Sequence, residues 1–161
     1  MNTDWESVLI KYLELSGDDS TLGELKLEGA TTDQIDDCEK RLGLTLPTEL
    51  CEFYLYSNGL MLEEDKSAEP RFFRQIQKLP EYVDCARSSF SDTHQEYANR
   101  YLPFIDWTNG DSCGYMVDSE GQYMTEIFIF LHEHYEYTCK QDINEFLQPF
   151  AGSLVNFFNG S

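Results

Sequence analysis

Three sets of side chains in this chain have types and spacings that chemistry could use. The first is His132-Glu133-His134. On a strand, residues two apart share a face, so both imidazoles could approach one divalent ion. No third ligand stands at a fixed spacing, and the pair reads more simply as the polar end of a strand. The second set is Asp106, Asp111, Asp118 and Glu120, around two turns that are neighbours in sequence. Carboxylate oxygens suit Ca²⁺ or Mg²⁺. Counted from Asp106, however, a calcium loop needs oxygen-bearing side chains at 108 and 110, and Gly110 has none. Aspartate also favours turns for its own backbone hydrogen bonds, which explains the set without a metal. The third set is the cysteines Cys38, Cys51, Cys85, Cys113 and Cys139. A thiolate nucleophile needs an electropositive setting, whereas Cys113 and Cys139 stand among acids. No nucleophile elbow, Walker loop or dinucleotide-binding glycine pattern is present, and none of the 30 acidic residues forms a distinguished pair. The chemistry reads as non-enzymatic, with no metal and no cofactor.

Composition narrows the partners. The net charge is −19, from 30 acidic and 11 basic residues. Residues 1–69 hold 17 acids and 5 bases, so the negative field is heavier there but spread throughout. Such a surface repels nucleic acid and anionic membranes, and it attracts basic proteins. Solubility alone would also explain it. A hydrophobic content of 41% with 14% aromatics argues for a packed core. The length of 161 residues suits one domain, read here as residues 1–161. Five cysteines are an odd number with no C-x-x-C pair, which points to a reducing, cytoplasmic setting. The N-terminal stretch lacks the basic region and apolar run of a secretory signal, and no segment is long enough to span a membrane.

The elements that must position these groups begin with an amphipathic helix over 3–15. Thr3 and Glu6 form its capping box, and Trp5, Val8, Leu9, Tyr12 and Leu13 lie on one stripe. Residues 21–30 read as a short strand or irregular. Thr31 and Gln34 then cap a helix carrying Ile35, Cys38, Glu39 and Leu42, closed by Gly43. Pro47 opens a second helix with Leu50, Phe53 and Tyr54, stopped by Ser57-Asn58-Gly59. Residues 60–62 and 71–79 read as strands on either side of the charged loop 63–70. Pro80 opens a further helix, and 95–99 is helical. Strands over 101–107, 113–117 and 123–131, joined by Asn109-Gly110-Asp111 and by 118–122, form an antiparallel meander. Asp142 with Glu145 caps a closing helix bearing Ile143, Phe146, Leu147 and Phe150, kinked at Pro149.

The ordered set Ile35…Glu39…Leu42-Gly43…Leu46-Pro47…Phe53-Tyr54…Asn58-Gly59 resembles the signature of the SUKH superfamily. Tyr101-Leu102-Pro103-Phe104, Gly110-Asp111, Tyr115 and Asp118 are similar to its central hairpin, and the strand around 127–130 and the closing Asp142-Ile143…Phe146-Leu147 helix are also similar to the family's pattern. The resemblance covers roughly residues 30–150. Residues 63–74 and 88–100 are long for a compact member, and loops there could carry a specific function. The superfamily includes a yeast regulator of cell-wall synthesis and many bacterial immunity proteins of polymorphic toxin systems. The resemblance implies an α+β fold, a single domain in which N-terminal and C-terminal helices flank a twisted antiparallel sheet.

The function this implies is neutralisation of a cognate toxin, often a basic nuclease, through an acidic surface. The alternative is a regulatory or scaffold module with no toxin partner. The candidate contact residues are Glu63, Glu64, Asp65 and Glu69 in the charged loop, and Asp106, Asp111, Asp118 and Glu120 at the hairpin turns. Trp107 and Tyr115 are their aromatic anchors, because interface energy concentrates in such side chains.

Overall fold

The computed structural model describes residues 2–160. The first helix, α1 (Trp5–Ser16), starts two residues later than the expected range of 3–15, and its cap moves by one residue. Asp4 is the cap, accepting from the Ser7 N–H at 3.2 Å and the Ser7 hydroxyl at 2.7 Å, so the Thr3–Glu6 box does not form. Trp5, Val8 and Leu9 are buried along its inner stripe. The segment read as a short strand or irregular holds instead the single-turn α2 (Leu22–Leu25), opened by a capping box between Thr21 and Glu24. That T-x-x-E pattern stands in the sequence and outweighs the loose alternation of Leu22, Leu25 and Leu27.

The next two helices follow the expected pattern. In α3 (Thr32–Leu42) the Thr31–Gln34 capping box is complete, and Gly43 ends the helix at φ +72°. Pro47 is the cap of α4 (Thr48–Tyr56) and not its first residue. Glu39 turns back to accept from the Leu46 N–H at 2.7 Å, tying the two helices together. At the helix stop only Gly59 has positive φ. Asn58 is buried; its Oδ1 accepts from the Ile76 N–H at 2.7 Å and its Nδ2 donates to Gln77 Oε1 at 3.0 Å.

That Asn58 clamp accounts for one correction. Residues 71–79 do not form a strand: Phe73 makes only isolated bridges, to Leu60 and to Ile105, and Ile76–Lys78 turn as a 3₁₀ helix running into α5 (Leu79–Ser88). Leu60 likewise contributes only isolated bridges, to Lys26 and to Phe73, so that Ile105, Phe73, Leu60 and Lys26 link in series outward from the edge of the sheet. The helix expected at 95–99 is longer: α6 runs over Ser91–Arg100, interrupted at His94, so most of the segment 88–100 is helical and not a loop.

The sheet is a four-stranded antiparallel meander: β1 (Tyr101–Asp106), β2 (Ser112–Val117), β3 (Tyr123–Phe130) and β4 (Leu147–Ala151). Here the sequence reading of the closing helix fails in part. The Asp142–Glu145 box forms but caps one 3₁₀ turn, and the chain then extends into β4. Pro149 fits there because β4 is an edge strand, where a missing N–H breaks no ladder. The true closing helix is α7 (Leu154–Asn159), capped by Ser153.

Both faces of the sheet are covered. Leu102, Phe104, Cys113, Tyr115 and Ile127 join the main core with α1, α3, α4 and α7. Phe53 is its hub, 5.2 Å from the Trp5 ring centroid, 4.7 Å from Phe73 and 5.5 Å from Phe158. Tyr101, Met116 and Phe130 pack on the other face with Phe90, Tyr135 and Phe146. The segment 88–100 is therefore part of a second core. The architecture is a single α+β domain, with helices flanking a twisted antiparallel sheet.

Candidate functional site

The ends of α1 and α7, the charged loop and the β1–β2 connection meet around one open cleft of about 640 Å³. A smaller hollow of about 270 Å³ adjoins it and shares Tyr12, Phe72, Trp107 and Phe157. The floor is aromatic. Trp107 stands edge-on to Phe72 at 5.1 Å and lies 6.1 Å from Phe157 and 6.5 Å from Phe150. Trp107 is 36% exposed and Phe150 is 50% exposed, unlike the surrounding core. The rim carries Asp18, Glu63 and Glu64.

The backbone fixes Trp107 in place. Arg74 Nη1 donates to Asp106 Oδ2 at 2.9 Å, and Asp106 Oδ1 accepts from the Thr108 N–H at 2.7 Å. Thr108 sits at φ +61°, a conformation its side chain disfavours and this bond helps hold. The Trp107 indole N–H points inward to Cys113 Sγ at 3.2 Å. Arg74 itself lies over the Tyr82 ring at 4.4 Å, and the Tyr82 hydroxyl donates to the Ile105 carbonyl.

The rim is electronegative. Asp18 Oδ2 accepts from the Glu63 N–H at 3.0 Å and Oδ1 from the Ser20 N–H at 2.8 Å. Partial burial alone would raise the Asp18 carboxyl, but these hydrogen bonds outweigh it and hold the group below the ordinary aspartate range. The Tyr12 phenol is pushed up to about 12, by burial first and then by the charges of Asp18 and Glu64. Among the described residues the only cation lining the cleft is Arg71, and it is engaged by Asp65 at 3.3 Å.

The candidate contact residues separate into three groups. Glu63, Glu64, Asp65 and Trp107, distant in sequence, line the cleft together. Of these, Asp65 is 2% exposed and works as the partner of Arg71. Asp106 and Asp111 lie beside the cleft but face inward, Asp106 to Arg74 and Asp111 to His132. Glu69 borders a separate shallow depression with Arg71, Arg74 and Lys78. Asp118 and Glu120 occupy the β2–β3 turn, at the opposite end of a six-residue strand and about 20 Å away. The four turn acids therefore do not cluster, because consecutive hairpin turns fall at opposite ends of a meander. Tyr115 is 2% exposed, and its hydroxyl donates to Glu49 Oε1 at 2.7 Å; it is a core residue with no contact surface.

The metal readings fare similarly. His132–His134 form a 3₁₀ turn and not a strand, and Asp111 accepts from the His132 N–H while facing its Nδ1. Among the described residues no group of three potential ligands comes together. Burial pushes the Cys38 and Cys113 thiols up to about 12 and Cys51 to about 11, which removes them as nucleophiles near neutral pH.

Sequence reasoning missed Tyr12, Asp18, Phe150 and Phe157. Asp18 hid in a polar turn, and Phe150 was assigned to a helix face. Pro149 was the signal that could have recovered it, since a proline at that position favours an edge strand.

The fold and this cleft define a small α+β domain with one preformed, acid-rimmed aromatic groove. Residues 29–149 match the SMI1 / KNR4 family (SUKH-1). The match spans well over half of the chain, which belongs to this family. No curated protein gives a significant match to the chain. Among the described residues no helix is long and apolar enough to cross a membrane.

Proposed function

We propose that this protein is a non-enzymatic, cytoplasmic immunity protein that neutralises a cognate basic toxin, of which a nuclease is the leading example. Family membership is consistent with an interaction module. The observation that carries the finer reading is the cleft: an exposed aromatic floor under Asp18, Glu63 and Glu64, with Arg71 its only lining cation among the described residues. In a chain of net charge −19, that arrangement offers carboxylates where a nuclease expects phosphates. Long-range attraction then speeds encounter, and the aromatic floor slows release. The free cysteines, two of them exposed, support a reducing compartment.

The test is capture from the source cell with this protein as bait, washed at low and then moderate salt. A basic toxin domain that elutes as salt rises supports the proposal. With that toxin in hand, reversing Glu63 and Glu64 to lysine should slow association at least tenfold at low salt. Asp65 is left alone because it is buried on Arg71. Recovery of a partner that is not basic would move the assignment to a regulatory or scaffold module.

A further inference from the structure

We infer that the groove reads one class of partner side chain: a lysine or arginine carried next to an aromatic or large aliphatic residue on a protein segment. The cation enters beside Tyr12 between Asp18 and Glu64, and its neighbour lies on Trp107 and Phe150. This rests on the reading of the chain as a binder of basic proteins and goes further, by naming the pocket and the side chains that fill it.

The apolar part comes first. Trp107 and Phe150 are both substantially exposed, with ring centroids 6.5 Å apart; Trp107 lines both hollows and Phe150 the smaller one. Large aromatic rings left in water at a rigid position are what interface anchors look like, because covering them orders little else. Trp107 is not free to turn away: its indole N–H is bonded to Cys113, and its backbone is fixed through Asp106 and Thr108. An occupant of matching shape therefore meets a preformed ledge.

The polar part decides the charge of the occupant. Glu64 has no hydrogen-bond or ion-pair partner among the described residues, and the Tyr12 hydroxyl has no hydrogen-bond partner among them either. Asp18 is locked in place by two backbone N–H groups, and both of its oxygens retain lone pairs for a further donor. A guanidinium or ammonium carries the donors that acceptors of this kind lack and gains from the adjacent aromatic faces. A carboxylate or phosphate would face Asp18, Glu63 and Glu64, with the lining cation Arg71 already engaged by Asp65. Burial is the main cause of the raised Tyr12 phenol, and the charges of Asp18 and Glu64 add to it. A second copy of this chain, itself at −19, is electrostatically the wrong occupant.

The experiment needs no toxin. The whole protein carries two tryptophans, and Trp5→Phe leaves Trp107 as the sole reporter. The probes are N-acetyl-Phe-Arg-amide, the Phe-Gln analogue and the Phe-Glu analogue. They are titrated by Trp107 emission and, in the unsubstituted protein, by amide NMR shifts. That second readout stands if the Trp5 variant folds poorly. The expected result is binding of the arginine probe at least tenfold tighter than the glutamine probe, with no binding of the glutamate probe. Shifts should centre on Asp18, Glu64 and Trp107, and Glu64→Gln should remove most of the preference. Equal binding of all three probes, no binding of any, or shifts centred elsewhere would overturn the inference. None of those outcomes touches the salt-eluted capture that tests the immunity reading, so the two fail separately.

Discussion

Replacing Asp106 tests the claim that this residue positions Trp107 and is not itself a contact. Its side chain is 19% exposed, and that of Arg74 is 25% exposed. Asp106→Ala removes a charge-assisted bond at 2.9 Å and the acceptor for the Thr108 N–H. A hydrogen bond to a charged group contributes about 1.5–3 kcal/mol. Water can reach Thr108, so its lost bond adds only about 0.5 kcal/mol. Against this, Arg74 keeps its bond to the Arg71 carbonyl and its place over Tyr82, which offsets part of the loss. The net is about 2 kcal/mol, or a fall in Tm of about 4–8 °C for a chain of this size. Urea and thermal unfolding measure it. Asp106→Asn, which retains one acceptor, should lose about 1 kcal/mol. The double-mutant cycle with Arg74→Met should return a coupling of at least about 1 kcal/mol. Trp107 emission should shift to the red as the loop loosens. A variant within about 0.5 kcal/mol of the parent, with unchanged Trp107 emission and no coupling to Arg74, would refute the positioning argument.

Other outcomes follow from single sites. At pH 7.5 a maleimide should label exposed Cys85 and Cys139 quickly and Cys38 and Cys113 only on unfolding, as mass spectrometry would show; rapid labelling of Cys113 would contradict its burial. Gly59→Ala should destabilise by more than about 2 kcal/mol, because φ is +90° and the new Cβ would lie 2.6 Å from the Phe73 carbonyl oxygen. Gly121→Ala, at φ +81° with nothing within 4 Å, should lose only about 1 kcal/mol in the same unfolding assay. Asp18 has its carboxyl lowered in the folded state, so the unfolded chain binds more protons; its contribution is present above the ordinary value of 3.8 and is lost as pH falls through the folded value. Asp18→Asn should therefore flatten the acid limb of stability below about pH 4, measured by urea unfolding across pH.

How much of this was legible in the sequence depends on how local the signal was. The Thr31–Gln34 box, the Gly43 stop and the first three strands are written in short-range patterns, and the structure contains them. The errors came where a local signal was right but tertiary structure set its extent. Asp142 and Glu145 do form a capping box, yet it closes one turn, because Leu147 and Ala151 are needed to pair with Phe130 and Ile127 of β3. The apolar spacing of residues 143–150 suited either element, and only Pro149 favoured the edge strand. At Asn58 the sequence showed a helix stop but not the clamp on Ile76 and Gln77, eighteen and nineteen residues away.

The groove was half legible for the same reason. Glu63, Glu64 and Trp107 could be named from residue type alone, since unpaired acids in a loop and a tryptophan at a turn are candidates anywhere. What could not be read was that α1 and α7 bring Tyr12, Asp18 and Phe157 to the same place. Nor could the opposite fates of equivalent-looking residues be read. Tyr115 and Trp107 both stand on the central hairpin, but Tyr115 faces the core and is held there by Glu49, which also accepts from the Leu154 N–H at the start of α7. Glu49 thereby joins α4, β2 and α7, the last of which supplies Phe157 to the groove. The same carboxylate that withdraws one aromatic from the surface helps place another beneath Trp107. The binding surface is thus a consequence of how the closing helix docks, which explains why it leaves so little trace in any one stretch of sequence.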